Sequence, residues 1–181
     1  MNNKNRSSGF TLVELMVALA IVSILLVLAW PSYQQFVVDS RVSAQANEFL
    51  TALTFTRSEA VKRNATVTMC KSADGASCAT AGGWQQGWIV FVDAGAVGAV
   101  DVGDTILRVA AAMAGPSTLV GTTDVASYVS YAPSGRSQLA GGAAQGGTLN
   151  LCSNAGTAVR RDVVLSSTTG RAHVEKASVT C

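Results

Sequence analysis

One carboxylate, Glu14, stands inside an apolar run that reaches from Phe10 to Trp30. An ionisable group in hydrocarbon is costly and calls for a partner of opposite charge. The run is long enough to span a bilayer. The segment ahead of it, residues 1–9, carries Lys4 and Arg6 and no acid. Cations ahead of an apolar helix hold that end in the cytoplasm. The chemistry on offer at this end is therefore charge pairing in a membrane.

The other reactive side chains are few. Cys70, Cys78, Cys152 and Cys181 make an even set, which in an exported chain reads as two disulfides with three possible pairings. The favoured pairing is Cys70 with Cys78, closing a small loop over Ser72 to Gly75, and Cys152 with Cys181, fastening the last residue. Zinc is the competing reading, but there is no C-x-x-C pair and only one histidine, so no metal site is expected. Asp93, Asp101 and Asp104 flank a glycine-rich stretch and invite a calcium reading. Gly95 and Val97 stand where such a loop needs oxygen ligands, so an acidic hairpin loop is expected instead. His173, the single histidine, has no acid or nucleophile arranged around it as catalysis needs, and no enzyme activity or cofactor is expected. Trp84 and Trp88 could stack on a ligand, yet beside Ile89-Val90-Phe91 they read as core. Gly141–Gly147 lacks the strand-then-helix setting of a nucleotide site and reads as a flexible loop.

These residues are positioned by two kinds of element. The first is a helix in two halves. Residues 10–30 are apolar on every face. Pro31 removes a helical hydrogen bond and should bend the axis. Residues 31–64 are amphipathic: Val42, Ala46, Phe49, Leu53 and Ala60 make one stripe to be buried. Glu59 pairs with Lys62 and Arg63 along the helix, and Asn64 is the end signal. From residue 65 to 181 short β runs alternate with turns. The candidates are Ala65–Lys71, Gly87–Val92, Thr105–Ala111, Val125–Ala132, Thr148–Cys152, Arg161–Ser166 and Arg171–Lys176. The fold class expected is α+β, a long N-terminal helix packed on an antiparallel sheet head.

Charge excludes one class of partner at the global level. The net charge is +2, and with Lys4 and Arg6 set aside 11 basic face 11 acidic residues. No overall basic field advertises nucleic acid, so any such contact must come from a local patch.

The junction Gly9-Phe10-Thr11-Leu12-Val13-Glu14 resembles the leader junction of type IV pilins and pseudopilins. The resemblance implies cleavage after Gly9 by prepilin peptidase, N-methylation of Phe10, and an assembly role for Glu14. The ammonium freed on a neighbouring subunit would be the partner Glu14 needs. A secretory signal with Val27-Leu28-Ala29 as its exit is the first alternative. The run is long for that, and the signal leaves Glu14 out of place. A plain single-span anchor is the second, and it explains neither Glu14 nor the glycine junction. Further along, Arg57-Ser58-Glu59-Ala60-Val61-Lys62-Arg63-Asn64 is similar to the FimT, FimU and GspH group of minor pilins and pseudopilins. So are Trp84-x-x-Gly87-Trp88, Asp104-Thr105-Ile106-Leu107-Arg108, and the Gly-Arg turns at Gly135-Arg136 and Gly170-Arg171.

That resemblance implies a low-abundance subunit. It would sit in the inner membrane with a periplasmic head, then at the tip of a pilus or pseudopilus among other minor pilins and the major pilin. Its function would be to prime or cap type IV pilus assembly. One alternative is a type II secretion pseudopilin. The other is a competence pilin that binds double-stranded DNA, because the FimT branch carries a Gly-Arg-x-Arg element tied to DNA. Here that element reads Gly170-Arg171-Ala172-His173. Arg160, Arg161, Arg171, His173 and Lys176 form the candidate DNA patch, with an aggregation-resisting charged edge strand as the competing reading.

Overall fold

The computed structural model describes residues 10–153, 158–177 and 181. Lys4, Arg6 and Gly9 lie outside the described residues. Two compact units divide the chain, Met1–Val37 and Val38–Cys181.

The first element is α1, Leu12–Arg63. Thr11 caps its start, its hydroxyl accepting from the Glu14 amide at 3.2 Å, which satisfies one otherwise orphaned donor. Pro31 lies inside the helix, and α1 is broken by a bend between Leu28 and Trp30. The break is where proline deletes a backbone bond. Neither segment alone is long and apolar enough to cross a membrane; the bent pair together meets that length and composition.

The C-terminus of α1 is closed by Asn64 at φ 50°. The Ala65 amide reaches the Ala60 carbonyl at 3.2 Å and the Asn64 amide reaches Val61 at 3.3 Å. This paired closure satisfies two free carbonyls, and asparagine tolerates the left-handed conformation it needs.

Among the described residues nine strands follow: β1 Val67–Lys71, β2 Trp88–Val92, β3 Thr105–Ala110, β4 Ser117–Gly121, β5 Tyr128–Tyr131, β6 Ser137–Gln138, β7 Gly147–Ser153, β8 Val159–Leu165 and β9 Ala172–Lys176. They form two antiparallel sheets rather than one, in the orders β3-β2-β1-β5-β6 and β4-β7-β8-β9. Strand β4 and the two-residue β6 lie where no strand is expected from sequence. The Val125–Ala132 candidate shortens to β5, because Thr123–Val125 forms a 3-10 turn.

The core sits where the α1 stripe meets the sheets. Val42, Ala46, Phe49, Leu53 and Ala60 are buried together with Met69, Trp84, Trp88, Leu149 and Leu151. Phe49 meets Trp84 and Trp88 edge to face, each pair of ring centroids 5.2 Å apart. Both tryptophans are buried and serve as packing. A second, smaller core of Cys70, Ile89 and Phe91 lies under Cys78, Val100 and Tyr128. Strand β1 is consequently buried along its whole length, and its alternating pattern does not mark a wet face. Thr68 is sealed inside by donating to Asp93 Oδ2 at 2.7 Å and pairing with Ser130 Oγ at 2.9 Å.

Two buried glutamines tie the layers together. Gln45 on α1 donates to the Ala114 carbonyl at 2.8 Å and accepts from Ser117 Oγ at 2.8 Å, which holds the start of β4. Gln145 lies in the stretch expected to be a flexible loop, yet it is fully buried. Its amide donates to the Asp124 and Tyr128 carbonyls and accepts from the Ser130 amide. Burying that amide without these partners would cost roughly 1–3 kcal/mol by mutational scales, so the loop closes around them.

Candidate functional site

The N-terminal unit presents a bare apolar surface. From Phe10 to Phe36 its large apolar side chains are exposed along α1. Glu14 is the only charged residue between Phe10 and Val38, and it is exposed with no ion-pair partner among the described residues. It sits one turn into the helix, where the positive end of the helix dipole favours a carboxylate. The arrangement offers a single negative point on a surface with no other charge before Asp39.

The cysteines are joined as Cys70–Cys78 and Cys152–Cys181, each pair with Cα atoms 5.6 Å apart. The small loop is further held by Asp74. It accepts from the Ser77 hydroxyl and the Ala76 and Ser77 amides, and these bonds, led by Ser77, hold its carboxyl well below the usual range. The acidic stretch is likewise a self-bonded hairpin loop. Asp104 accepts from the Ala94 and Asp101 amides, Asp101 from Ala96, and Asp93 from Gly98. Among the described residues no cluster of His, Cys, Asp or Glu is arranged to hold a metal ion.

Of the five candidate DNA-contacting residues, three already have acid partners. Arg160 forks onto Asp162 at 2.7 and 3.0 Å and reaches Asn150. Arg161 reaches back to Asp39 on α1 at 2.5 Å. His173 Nε2 lies 2.7 Å from Glu175 Oε1. Arg171 and Lys176 are exposed and have no carboxylate within ion-pair reach among the described residues. Arg171 falls just before β9 rather than in it.

What sequence reasoning did not find is where Arg171 goes. The two Gly-Arg turns stack on each other and on α1. A side-chain carbon at Gly170 would come within 2.7 Å of the Gly135 carbonyl and 2.8 Å of the Ser137 amide, so only glycine permits this approach, and its φ of +65° asks for glycine as well. Arg57 on α1 donates from Nε to that same Gly135 carbonyl at 2.8 Å. Thr54, Arg57, Tyr131, Gly170, Arg171 and Ala172 line a cleft of about 250 Å³ at the junction. All three segments stand out in the sequence, but spacing alone carries no sign that they meet.

A long N-terminal helix, apolar at its start and laid on antiparallel sheets further on, is the architecture of pilins. The chain belongs to the family described as "Type II transport protein GspH", which matches residues 45–169. Residues 4–30 match the prokaryotic N-terminal methylation motif. Two crystal structures of the type IV minor pilin FimU of Pseudomonas aeruginosa share the fold. One, in space group P21, aligns with a TM-score of 0.61 at 20% identity over 81% of this chain and 96% of that one. The other, in P65, aligns with a TM-score of 0.56 at 20% identity over 77% and 96%. Family and fold are those of structural pilins. The methylation motif implies processing by prepilin peptidase and assembly with other pilins, and with the apolar helix it is compatible with membrane anchoring.

Proposed function

We propose that this chain is a minor pilin that primes or caps a type IV pilus. Prepilin peptidase cuts after Gly9, Phe10 becomes the methylated N-terminus, and the following segment of α1 holds the subunit in the inner membrane with its head in the periplasm. Glu14 then pairs with the N-terminal ammonium of a neighbour as the subunit moves into the filament. The mechanism is assembly, with no catalytic step and no cofactor.

The observation that carries this reading is Glu14 alone on an exposed apolar helix. An unpaired acid at mid-membrane costs roughly 2.5–3.5 kcal/mol on insertion scales, and less near a helix end. Pairing with an ammonium relieves that cost only when two subunits stand at the right vertical offset, so the same charge selects the stagger. The test is Glu14→Ala in the full chain. The variant should be cleaved and accumulate in membranes yet be absent from sheared filaments; normal incorporation would overturn the reading.

A type II secretion pseudopilin is the second reading, favoured by the description of the matching family. Deletion of the gene decides between them: loss of twitching motility with intact protein export supports the pilus, and the reverse supports secretion. A DNA-binding competence role draws less support, because Arg160, Arg161 and His173 are engaged with acids within the fold.

A further inference from the structure

Arg57 on α1 and Arg171 in the turn before β9 line one cleft, and neither has a carboxylate within ion-pair reach among the described residues. Two arginines lining one cleft without an acid give it a positive potential that favours an anion. Arg57 spends its Nε on the Gly135 carbonyl, which fixes the guanidinium plane and leaves its terminal nitrogens to donate. At the cleft floor Tyr131 is buried. Burial pushes its phenol well above the usual range against the opposing pull of Arg57, so it stays protonated and able to donate.

The surroundings narrow the class of anion. Thr54 and Arg57 also border a second depression of about 430 Å³, lined besides by Ser58, Val61 and Lys62. Val61 is 53% exposed there, and Lys62 pairs with Glu59 at 3.6 Å. A nucleic acid strand presents a row of phosphates and needs a row of free cations. This face supplies two arginines beside one exposed apolar side chain, Val61, which matches a single acidic side chain with an apolar neighbour on a protein segment.

We propose that Arg57 and Arg171, with Tyr131, form a receiving pocket for one side-chain carboxylate of an adjacent filament subunit, whose apolar neighbour rests against Val61. The inference rests on the assembly reading, since it needs a neighbouring subunit. The pocket orients the head, whereas Glu14 sets the stagger in the membrane. Because the pocket draws on α1, on β5 and on the turn before β9, a carboxylate bound there also ties that turn to the helix.

The test places a photoreactive benzoylphenylalanine at Ser58 in the full chain expressed in its own cells. Ser58 is exposed and its hydroxyl bonds only to the Phe55 carbonyl of its own helix. Irradiation should give an adduct on a segment of another pilin that contains Asp or Glu. The adduct yield should fall about tenfold in Arg171→Glu, as expected when a charge-assisted pair is lost. It should return when the partner's acid is replaced by Lys. Arg171→Gln gives an intermediate loss and guards against misfolding, which resistance to proteolysis checks in both variants. An adduct insensitive to Arg171, an adduct segment without an acid, or a failed charge swap overturns the pocket. So does retention of a short DNA duplex by the detergent-solubilised chain that depends on Arg171 in the absence of any adduct. Presence in filaments without an adduct overturns the pocket alone; absence from filaments with Arg171 and Glu14 intact overturns the assembly reading beneath it.

Discussion

Asp93 and Asp74 show how two carboxylates of one chain acquire opposite pH behaviour. Asp93 is buried with its Oδ1 lacking a partner. Desolvation raises its pKa, against the Thr68 and Gly98 bonds, with Asp104 and Asp101 adding to the rise. Its folded pKa lies above the unfolded value of about 3.9, so the folded state holds more protons across that window. Stability is then fully present below pH ~4 and declines as pH rises through the raised value. Asp93→Asn should flatten that decline in thermal melts taken from acid to neutral pH; an unchanged slope would count against the buried charge. Asp74 is the reverse case. Its carboxyl is held down by Ser77 first, so its contribution is present above the ordinary aspartate value and fades as pH falls. Asp74→Ala should therefore weaken the head at neutral pH and make little difference in strong acid. The sequence placed Asp93 beside a glycine-rich acidic loop and Asp74 within the small loop closed by Cys70 and Cys78. It could not show which was buried, because that depends on the small core of Cys70, Ile89 and Phe91 beside Asp93.

At the scale of elements, α1 and most strands were legible and the reasons are local. Spacing of Val42, Ala46, Phe49, Leu53 and Ala60 defined the buried stripe, and Asn64 marked the end by a conformation few residues accept. Phe49→Ala should cost about 3–5 kcal/mol of head stability, since it empties the space between two tryptophans. A melting temperature unchanged in that variant would mean the stripe is not the core. Replacing both Cys152 and Cys181 by Ala should cost about 3–4 kcal/mol by loop entropy, given their separation of 29 residues, and denaturant midpoints measure it. Strand β4 was missed because Ser117–Gly121 is short and follows Gly115-Pro116. It is held by Gln45 and by pairing with β7, and neither contact is local. Strand β1 misled in another way. Its polar Thr68 marked a partner inside the fold rather than a face toward water.

For the whole molecule, the head from Val38 to Cys181 is a compact unit with its own core. A chain starting at Val38 should melt in a single cooperative transition when oxidised, followed by circular dichroism. A broad, non-cooperative loss of signal would show that the N-terminal segment is needed for folding. The separation fits the proposed function: the head can be complete while the apolar segment exchanges lipid for neighbouring subunits.

The amino-acid order by itself determined the apolar N-terminal run with its lone Glu14, the helix stripe, the turn from helix to strands, and the family. Each of these depends on residue type at short spacing, where sterics and periodicity act locally. Only the tertiary structure decided that there are two sheets. It also paired Arg160 with Asp162, Arg161 with Asp39 and His173 with Glu175, brought Arg57 and Arg171 to one cleft, and laid Gly170 against Gly135, whose carbonyl Arg57 holds. Those outcomes depend on which distant segments are adjacent. That is set by the packing of α1 across both sheets and by a glycine-only approach between two turns, which no short stretch of sequence contains.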